Sequence, residues 1–196
     1  MQEVIVSDKW LTKKMNSKTE KKGNQNDTDC KFAPSGKSAK NGKIRIKRTD
    51  SDNEDFRTLI SELEEHLTRA DEKAHSECKK FNKLDTIKHA IVVYIDKKAV
   101  GCGAIRKYTQ DTIEIKRMFV SEKARKKGVG TKILEELEVW ATELGFEKSI
   151  LETGNMLPEA VRLYKKNNYI QIPNYGQYIE MEKSICFAKK LKNGNE

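Results

Sequence analysis

Glu114-Ile115-Lys116-Arg117-Met118-Phe119-Val120, then Arg125-Lys126-Lys127-Gly128-Val129-Gly130-Thr131, then a long amphipathic run, is the stretch whose reading decides the fold. Its first segment has the branched and aromatic content of a strand. The run after it carries Ile133, Leu134, Leu137, Trp140, Ala141 and Leu144 on one helical stripe, and Gly145 stands where a left-handed C-terminal cap is expected. Two glycines at the strand-to-helix junction let backbone N–H groups turn inward at the positive end of a helix dipole, with no Cβ in the way of a phosphate. The junction reads as a phosphate cradle.

Spacing excludes two kinds of nucleotide. A mononucleotide loop closes on Gly-Lys-Ser/Thr, whereas Gly130 is followed by Thr131 and only then by Lys132. A dinucleotide fingerprint needs a third glycine, and Ile133 occupies that position; Gly101-Cys102-Gly103 likewise runs into Arg106.

Toward the C-terminus, Ser149-Ile150-Leu151-Glu152-Thr153-Gly154 alternates as a strand does, and Pro158 opens a helix that Asn167-Asn168 ends. The segments Tyr169–Tyr178 and Ser184–Leu191 follow. Toward the N-terminus, a turn at Thr109-Gln110-Asp111 precedes the strand with Glu114. Before it, His89–Ile95 and Ala99–Ile105 form a hairpin across Asp96-Lys97-Lys98. Ser51 with Glu54 suggests a capping box for a helix bearing Phe56, Leu59, Ile60, Leu63 and Leu67, and Ile44-Arg45-Ile46-Lys47 begins the sheet. From Ala70 to Lys88 the pattern is weak, with Phe81, Leu84 and Ile87 as anchors.

The chain has 196 residues, 36% hydrophobic and 35% charged, which is apolar material for one core and not for two. Residues 1 to 43 show no period and almost no apolar face, so they are expected to be a disordered basic tail, with 44 to 196 as the folded domain. Ten lysines against five acids give that tail +5 of the chain's net +9. Trp10 and Phe32 are the tail's only aromatic residues beside ten lysines, too few for an interleaved pattern, so a solvated tail is the reading preferred over an arm for nucleic acid or membrane. Cys30, Cys78, Cys102 and Cys186 form no Cys-x-x-Cys pair and no metal-ligand spacing. Apolar runs are too short for a signal peptide or a membrane span. Reduced thiols, no metal and a cytoplasmic location are expected.

Arg125-Lys126-Lys127-Gly128-Val129-Gly130 fits the Arg/Gln-x-x-Gly-x-Gly/Ala loop of the GCN5-related N-acetyltransferases (GNAT). Ala160-Val161-Arg162-Leu163-Tyr164-Lys165-Lys166-Asn167-Asn168-Tyr169 fits their helix Ala-x-x-Leu-Tyr-x-x-x-Gly-Phe, with Asn168 in place of the glycine. From about residue 44 to the C-terminus the chain resembles this superfamily, and Tyr169–Tyr178 and Ser184–Leu191 resemble the closing strand, loop and strand of a bacterial branch with largely unassigned substrates. The resemblance implies an α/β fold: a mixed, mostly antiparallel sheet of six or seven strands flanked by about four helices. Strands four and five are expected to splay apart around the pantetheine arm of acetyl-CoA, the implied cosubstrate. It further implies pyrophosphate on the N–H groups of Lys126, Lys127, Gly128, Val129, Gly130 and Thr131, with Arg125 near the outer phosphates. Met118, Phe119 and Val120 would line the thioester, with an oxyanion donor near Phe119 or Val120. One departure is Leu157, where many members carry a pantetheine-contacting asparagine; Asn155 comes two residues too early.

Two residues are implied as catalytic. Glu114 lies eleven residues before Arg125, the spacing of the general base in the histone-acetylating branch. Lys116 is two residues on and on the same strand face, so an ion pair that only holds the strand is the other reading. Tyr164 matches the tyrosine that protonates the leaving thiolate, and the plain alternative is a core tyrosine. The expected reaction is direct attack of a primary amine on acetyl-CoA in a ternary complex. A small-molecule or amino-acid acceptor is favoured, because Lys116, Arg117, Tyr175 and Tyr178 could hold an acceptor carboxylate. A protein lysine or N-terminal acceptor, and a non-catalytic acyl-CoA sensor, are the alternatives. Cys102 has no activating base beside it, and His66, His75 and His89 are read as non-catalytic. A homodimer is a possible assembly; nucleic acid and membrane are not expected partners.

Overall fold

The computed structural model describes residues 43–72, 76 and 87–191. The proposed tail, and Phe81 and Leu84, lie outside the described residues. The elements run β1 (Ile44–Thr49), α1 (Glu54–Ala70), β2 (His89–Ile95), β3 (Lys98–Lys107), β4 (Thr112–Val120), α2 (Val129–Glu143), β5 (Lys148–Gly154), α3 (Pro158–Lys166), β6 (Ile170–Ile172) and β7 (Ser184–Lys190). Short 3-10 turns occupy Glu122–Ala124 and Gly176–Tyr178. The strands form one seven-stranded sheet in the order β1-β2-β3-β4-β5-β7-β6. Every neighbouring pair is antiparallel except β4 and β5. Three α-helices have both ends among the described residues, and Glu72 and Ser76 are helical as well.

Alternation along the strands divides the core into two layers. Ile91, Val93, Ile105, Ile113, Ile115, Leu151 and Phe187 face α2 and α3, while Ala90, Val92, Cys102, Ala104 and Phe119 face α1. On α2, Val129, Ile133, Leu134, Leu137 and Ala141 are buried. Each large aliphatic side chain so buried contributes about 1.5–3 kcal/mol relative to exposure. Leu144, expected on the same stripe, lies past the helix end and is exposed. There Phe146 N–H donates to Ala141 O at 3.0 Å and Gly145 N–H to Thr142 O at 2.9 Å, with Gly145 at φ 86°, which is a Schellman termination.

The glycines of Gly101-Cys102-Gly103 serve packing. A Cβ on Gly103 would stand 2.7 Å from Ile133 Cγ2 and 2.9 Å from Leu137 Cδ1, so their absence lets α2 lie directly on β3.

Two local expectations change. Ser51 and Glu54 form no capping box: the helix starts at Glu54 itself, and Asn53 caps it by accepting from Phe56 N–H at 2.9 Å. Ser51 instead donates its backbone N–H to Ile87 O at 3.3 Å. The β2–β3 hairpin turns on two residues, Asp96 and Lys97, at φ 49° and 69°, and Lys98 already belongs to β3. Paired positive φ values match the right-handed twist of the flanking strands.

Candidate active site

The site begins where β4 stops pairing. β4 and β5 are partners only from Thr112↔Lys148 to Ile115↔Leu151, although β4 runs on to Val120 and β5 to Gly154. The expected splay is thus present, and beyond Ile115 the two strands diverge. At the same place β4 bulges against β3: Cys102 faces Phe119 and Ala104 faces Lys116, so Arg117 and Met118 together oppose Gly103. Arg117 takes φ 58° there, and its buried guanidinium pairs with Glu64 of α1, which pins the bulge to that helix.

A cavity of about 180 Å³ opens at the divergence. α1 contributes Leu63, Leu67 and Ala70 to its wall, β4 contributes Ile115 to Met118, β5 contributes Glu152 to Gly154, and α3 contributes Ala160 and Tyr164. Asn155, Met156 and Leu157 close one side, and Asp71, Lys183 and Ser184 another. Tyr164 is 5% exposed, and no described residue hydrogen-bonds its hydroxyl, which distinguishes it from Tyr169, whose hydroxyl meets Ser149 at 2.8 Å. Burial raises Tyr164, and the Glu152 carboxylate raises it further, so the hydroxyl holds its proton. Leu157 lines the cavity at the position where the resemblance leads one to expect asparagine.

The strand-to-helix junction lies at the end of β4. Gly128 caps α2 at φ 78°, the left-handed region, and a Cβ there would meet nothing within 4 Å. Among the described residues, the N–H groups of Lys126 to Thr131 have no hydrogen-bond acceptor; the first helical bond is Lys132 N–H to Gly128 O at 3.1 Å. Six consecutive donors at a helix N-terminus are suited to a diphosphate, so the cradle fits coenzyme A. Arg125 is half-buried, with Nε donating to Val120 O at 3.1 Å, while Lys126, Lys127 and Lys132 are exposed.

Glu114 sits on β4 with no exposed surface. Oε2 accepts from Arg106 at 2.6 Å across the β3–β4 ladder, and Oε1 accepts from Tyr175 at 3.0 Å and Tyr178 at 3.3 Å. Lys116 Nζ stands 3.6 Å away and donates to the Tyr178 hydroxyl at 2.7 Å. Burial lowers the Lys116 ammonium despite that carboxylate. Tyr175 and Tyr178 are thus engaged in a network around Glu114, and Lys116 and Arg117 both have carboxylate partners. Burial pushes the Cys102 thiol up, as expected of an inert core cysteine. His66 tilts against Phe119, and His89 packs edge-on against Trp140; His75 lies outside the described residues.

Sequence reasoning passed over Glu152. It shares a strand face with Ile150, and because Ile150 pairs with Glu114 in parallel register, Glu152 falls level with Lys116 across the gap. Oε1 accepts from the Ser184 hydroxyl at 2.6 Å. Burial raises this carboxylate against the opposing pull of Ser184 and Lys116. A carboxylate directly after Ile150-Leu151 in a strand was the available signal, but its place opposite Lys116 follows from strand pairing alone.

Among the described residues, a seven-stranded, mostly antiparallel sheet opens between its one parallel pair beside a glycine cradle, an architecture of the acetyltransferase class. Residues 53–169 match the model of the acetyltransferase (GNAT) family, and the chain belongs to that family. It is 38% identical over 93 residues to an IAA acetyltransferase of Azospirillum brasilense, covering 47% of this chain and 61% of that protein. It is 32% identical over 83 residues to streptothricin acetyltransferase A of Bacillus subtilis (strain 168), covering 42% and 48%. The chain thus spans about three fifths or less of these relatives. Among solved structures, a GNAT family acetyltransferase of Elizabethkingia anophelis with acetyl-CoA bound superposes with TM-score 0.57 at 19% identity, covering 76% of this chain and 98% of that one, a likeness of fold. No described helix is long and apolar enough to cross a membrane.

Proposed function

We propose that this chain is an N-acetyltransferase that moves the acetyl group of acetyl-CoA to a primary amine of a small molecule or amino acid, by direct attack in a ternary complex. The observation that carries the reading is the β4–β5 divergence, which leads from the unpaired N–H groups of residues 126 to 131 into a cavity lined by Tyr164. Acetyl-CoA supplies the thioester when bound. Arg125 to Thr131 hold its phosphates, Met118, Phe119 and Val120 flank the thioester, and backbone N–H groups there receive the developing oxyanion. Tyr164 donates its proton to the departing sulfur, a role supported by its unbonded hydroxyl and the burial that keeps it protonated.

For Glu114 we favour the positioning role over that of base. All contacts of its carboxylate are internal, to Arg106, Lys116, Tyr175 and Tyr178, and it is not part of the cavity wall. It fixes the wall that carries Lys116.

The test is calorimetric titration with acetyl-CoA of the wild type, Gly128→Asn and Gly128→Glu. Asparagine tolerates the left-handed conformation and should keep the affinity, whereas glutamate sets a negative charge in the cradle and should lower it at least about tenfold, or about 1.4 kcal/mol. Unchanged affinity in a folded Gly128→Glu protein would remove the assignment. Tight binding with no thiol release toward any amine would instead leave an acyl-CoA sensor.

A further inference from the structure

The charges that line the cavity are matched, with one exception. Asp71 is bridged by Lys183 at 2.5 Å, Arg117 by Glu64, and Lys116 stands 3.6 Å from Glu114. Glu152 accepts only the neutral Ser184 hydroxyl on Oε1, and among the described residues no cation lies within ion-pair distance of it. Leu63, Leu67, Ile115, Met118, Met156 and Leu157 supply the apolar part of the lining, beside Asp71, Lys116, Arg117, Asn155 and Lys183. A carboxylate taken from water with no cation in direct contact is costly, and burial outweighs the longer-range pull of Lys116. A ligand with a cationic head and an apolar body would offset that cost and fill the cavity. Among the described residues, the cations of the cavity, Lys116, Arg117 and Lys183, all have carboxylate partners, which leaves none for an acceptor carboxylate.

We propose that Glu152 receives the ammonium group of the acceptor and takes its proton, and that the acceptor is a primary amine with a single positive charge on an apolar body. This rests on the acetyltransferase reading above. The acceptor arrives as R–NH3+, and one proton passes to Glu152 Oε2. The freed lone pair forms a C–N bond to the thioester carbonyl carbon, and the C–S bond breaks. The sulfur takes the Tyr164 proton, the nitrogen sheds a second proton that restores Tyr164, and Glu152 releases its own to solvent. Protons balance, with one released per turnover.

The groups facing Glu152 agree with this assignment. Lys116 and Arg117 come from β4, with the Glu114 carboxylate acting at longer range, Tyr164 from α3, Asp71 from the end of α1, and Lys183, Ser184 and Cys186 from β7 and its approach. Cys186, its partner across the β5–β7 ladder, is pushed up to about 12 and remains a neutral thiol. Burial, the largest influence on Glu152, raises it toward the range useful to a general base.

The experiment measures thiol release from acetyl-CoA by the full chain with 2-phenylethylamine and with phenylalanine, in the wild type and in Glu152→Gln, across pH. The amine should exceed the amino acid at least about tenfold in kcat/KM. Glu152→Gln should lower kcat/KM for the amine by about 10²–10⁴-fold and remove the acid limb of the pH profile, with acetyl-CoA affinity unchanged. Stability supplies a second readout. Because the folded carboxylate is raised, its ionisation destabilises the fold above the ordinary carboxylate range, so the melting temperature of Glu152→Gln should exceed that of wild type there, and the gap should close at acid pH. Unchanged kcat/KM with a lower melting temperature at every pH would make Glu152 a structural residue and overturn the proposal. Preference for phenylalanine would overturn the acceptor class, as would silence with both probes in a protein that binds acetyl-CoA. Failure to bind acetyl-CoA would overturn the acetyltransferase reading itself.

Discussion

Tyr164 and Glu114 are the two residues that the sequence implies as catalytic, and they reach different ends in the structure. Tyr164 keeps a hydroxyl without a hydrogen-bond partner among the described residues, on a cavity wall, so Tyr164→Phe removes a proton donor and almost no volume. Turnover should fall about 10²-fold with acetyl-CoA affinity intact, read from steady-state rates at saturating substrates; full activity would return Tyr164 to packing alone. Glu114→Gln, by contrast, leaves Arg106 and the buried Lys116 without their carboxylate. The expected loss is about 3 kcal/mol, at the lower end for a broken buried pair because Arg106 keeps 31% of its side chain exposed. Chemical denaturation measures it, and an unaltered midpoint with abolished turnover would restore the role of base. The sequence shows two residues on one strand face. It does not show that two tyrosines sixty residues later close over them, since that contact follows from the β6–β7 connection and not from any local pattern.

At the scale of elements, legibility follows the range of the interactions. α2 and α3 are read correctly because helical period, the left-handed Gly145 and the Pro158 start are local properties, and Asn168 adopts φ 67° where the resemblance puts glycine. The cap of α1 is misassigned by two residues because Ser51 and Asn53 are chemically equivalent cap candidates, and only the docking of the Ser51 backbone on Ile87 separates them. The Gly101-Cys102-Gly103 strand is excluded as a nucleotide motif, yet its reason emerges only from the closeness of α2. Gly103→Ala should therefore overpack the α2–β3 contact and destabilise by about 1–3 kcal/mol. Urea denaturation checks it; a neutral result would mean that Ile133, Leu137 and Met118 can give way together.

For the whole molecule, one sheet separates the two hydrophobic layers, and the proposed cosubstrate would touch β4, β5, α2 and α3 at once. A ligand that binds only the assembled form should stabilise all of it. At a hundred times its dissociation constant, acetyl-CoA should add about 2.7 kcal/mol and raise the melting temperature by roughly 5–10 °C, observed by calorimetry as one shifted transition. A shift of zero at that concentration would argue against binding to the folded state.

An ordinary sheet presents unsatisfied peptide groups only along its two outermost strands. The divergence after Ile115↔Leu151 gives this one an internal margin as well, a short length of β4 that has lost its partner inside the protein. Such a margin is a template for any extended chain of amides, and elsewhere it would invite the strand of another molecule. Here the bulge at Arg117 bends it and α3 roofs it, so a slender amide-bearing chain can lie there while a polypeptide strand with side chains on both faces cannot. The prediction is spectroscopic: amides of residues 116 to 120 that face the gap should exchange with deuterium quickly in the free protein and slow on addition of acetyl-CoA, while those paired with β3 stay protected in both.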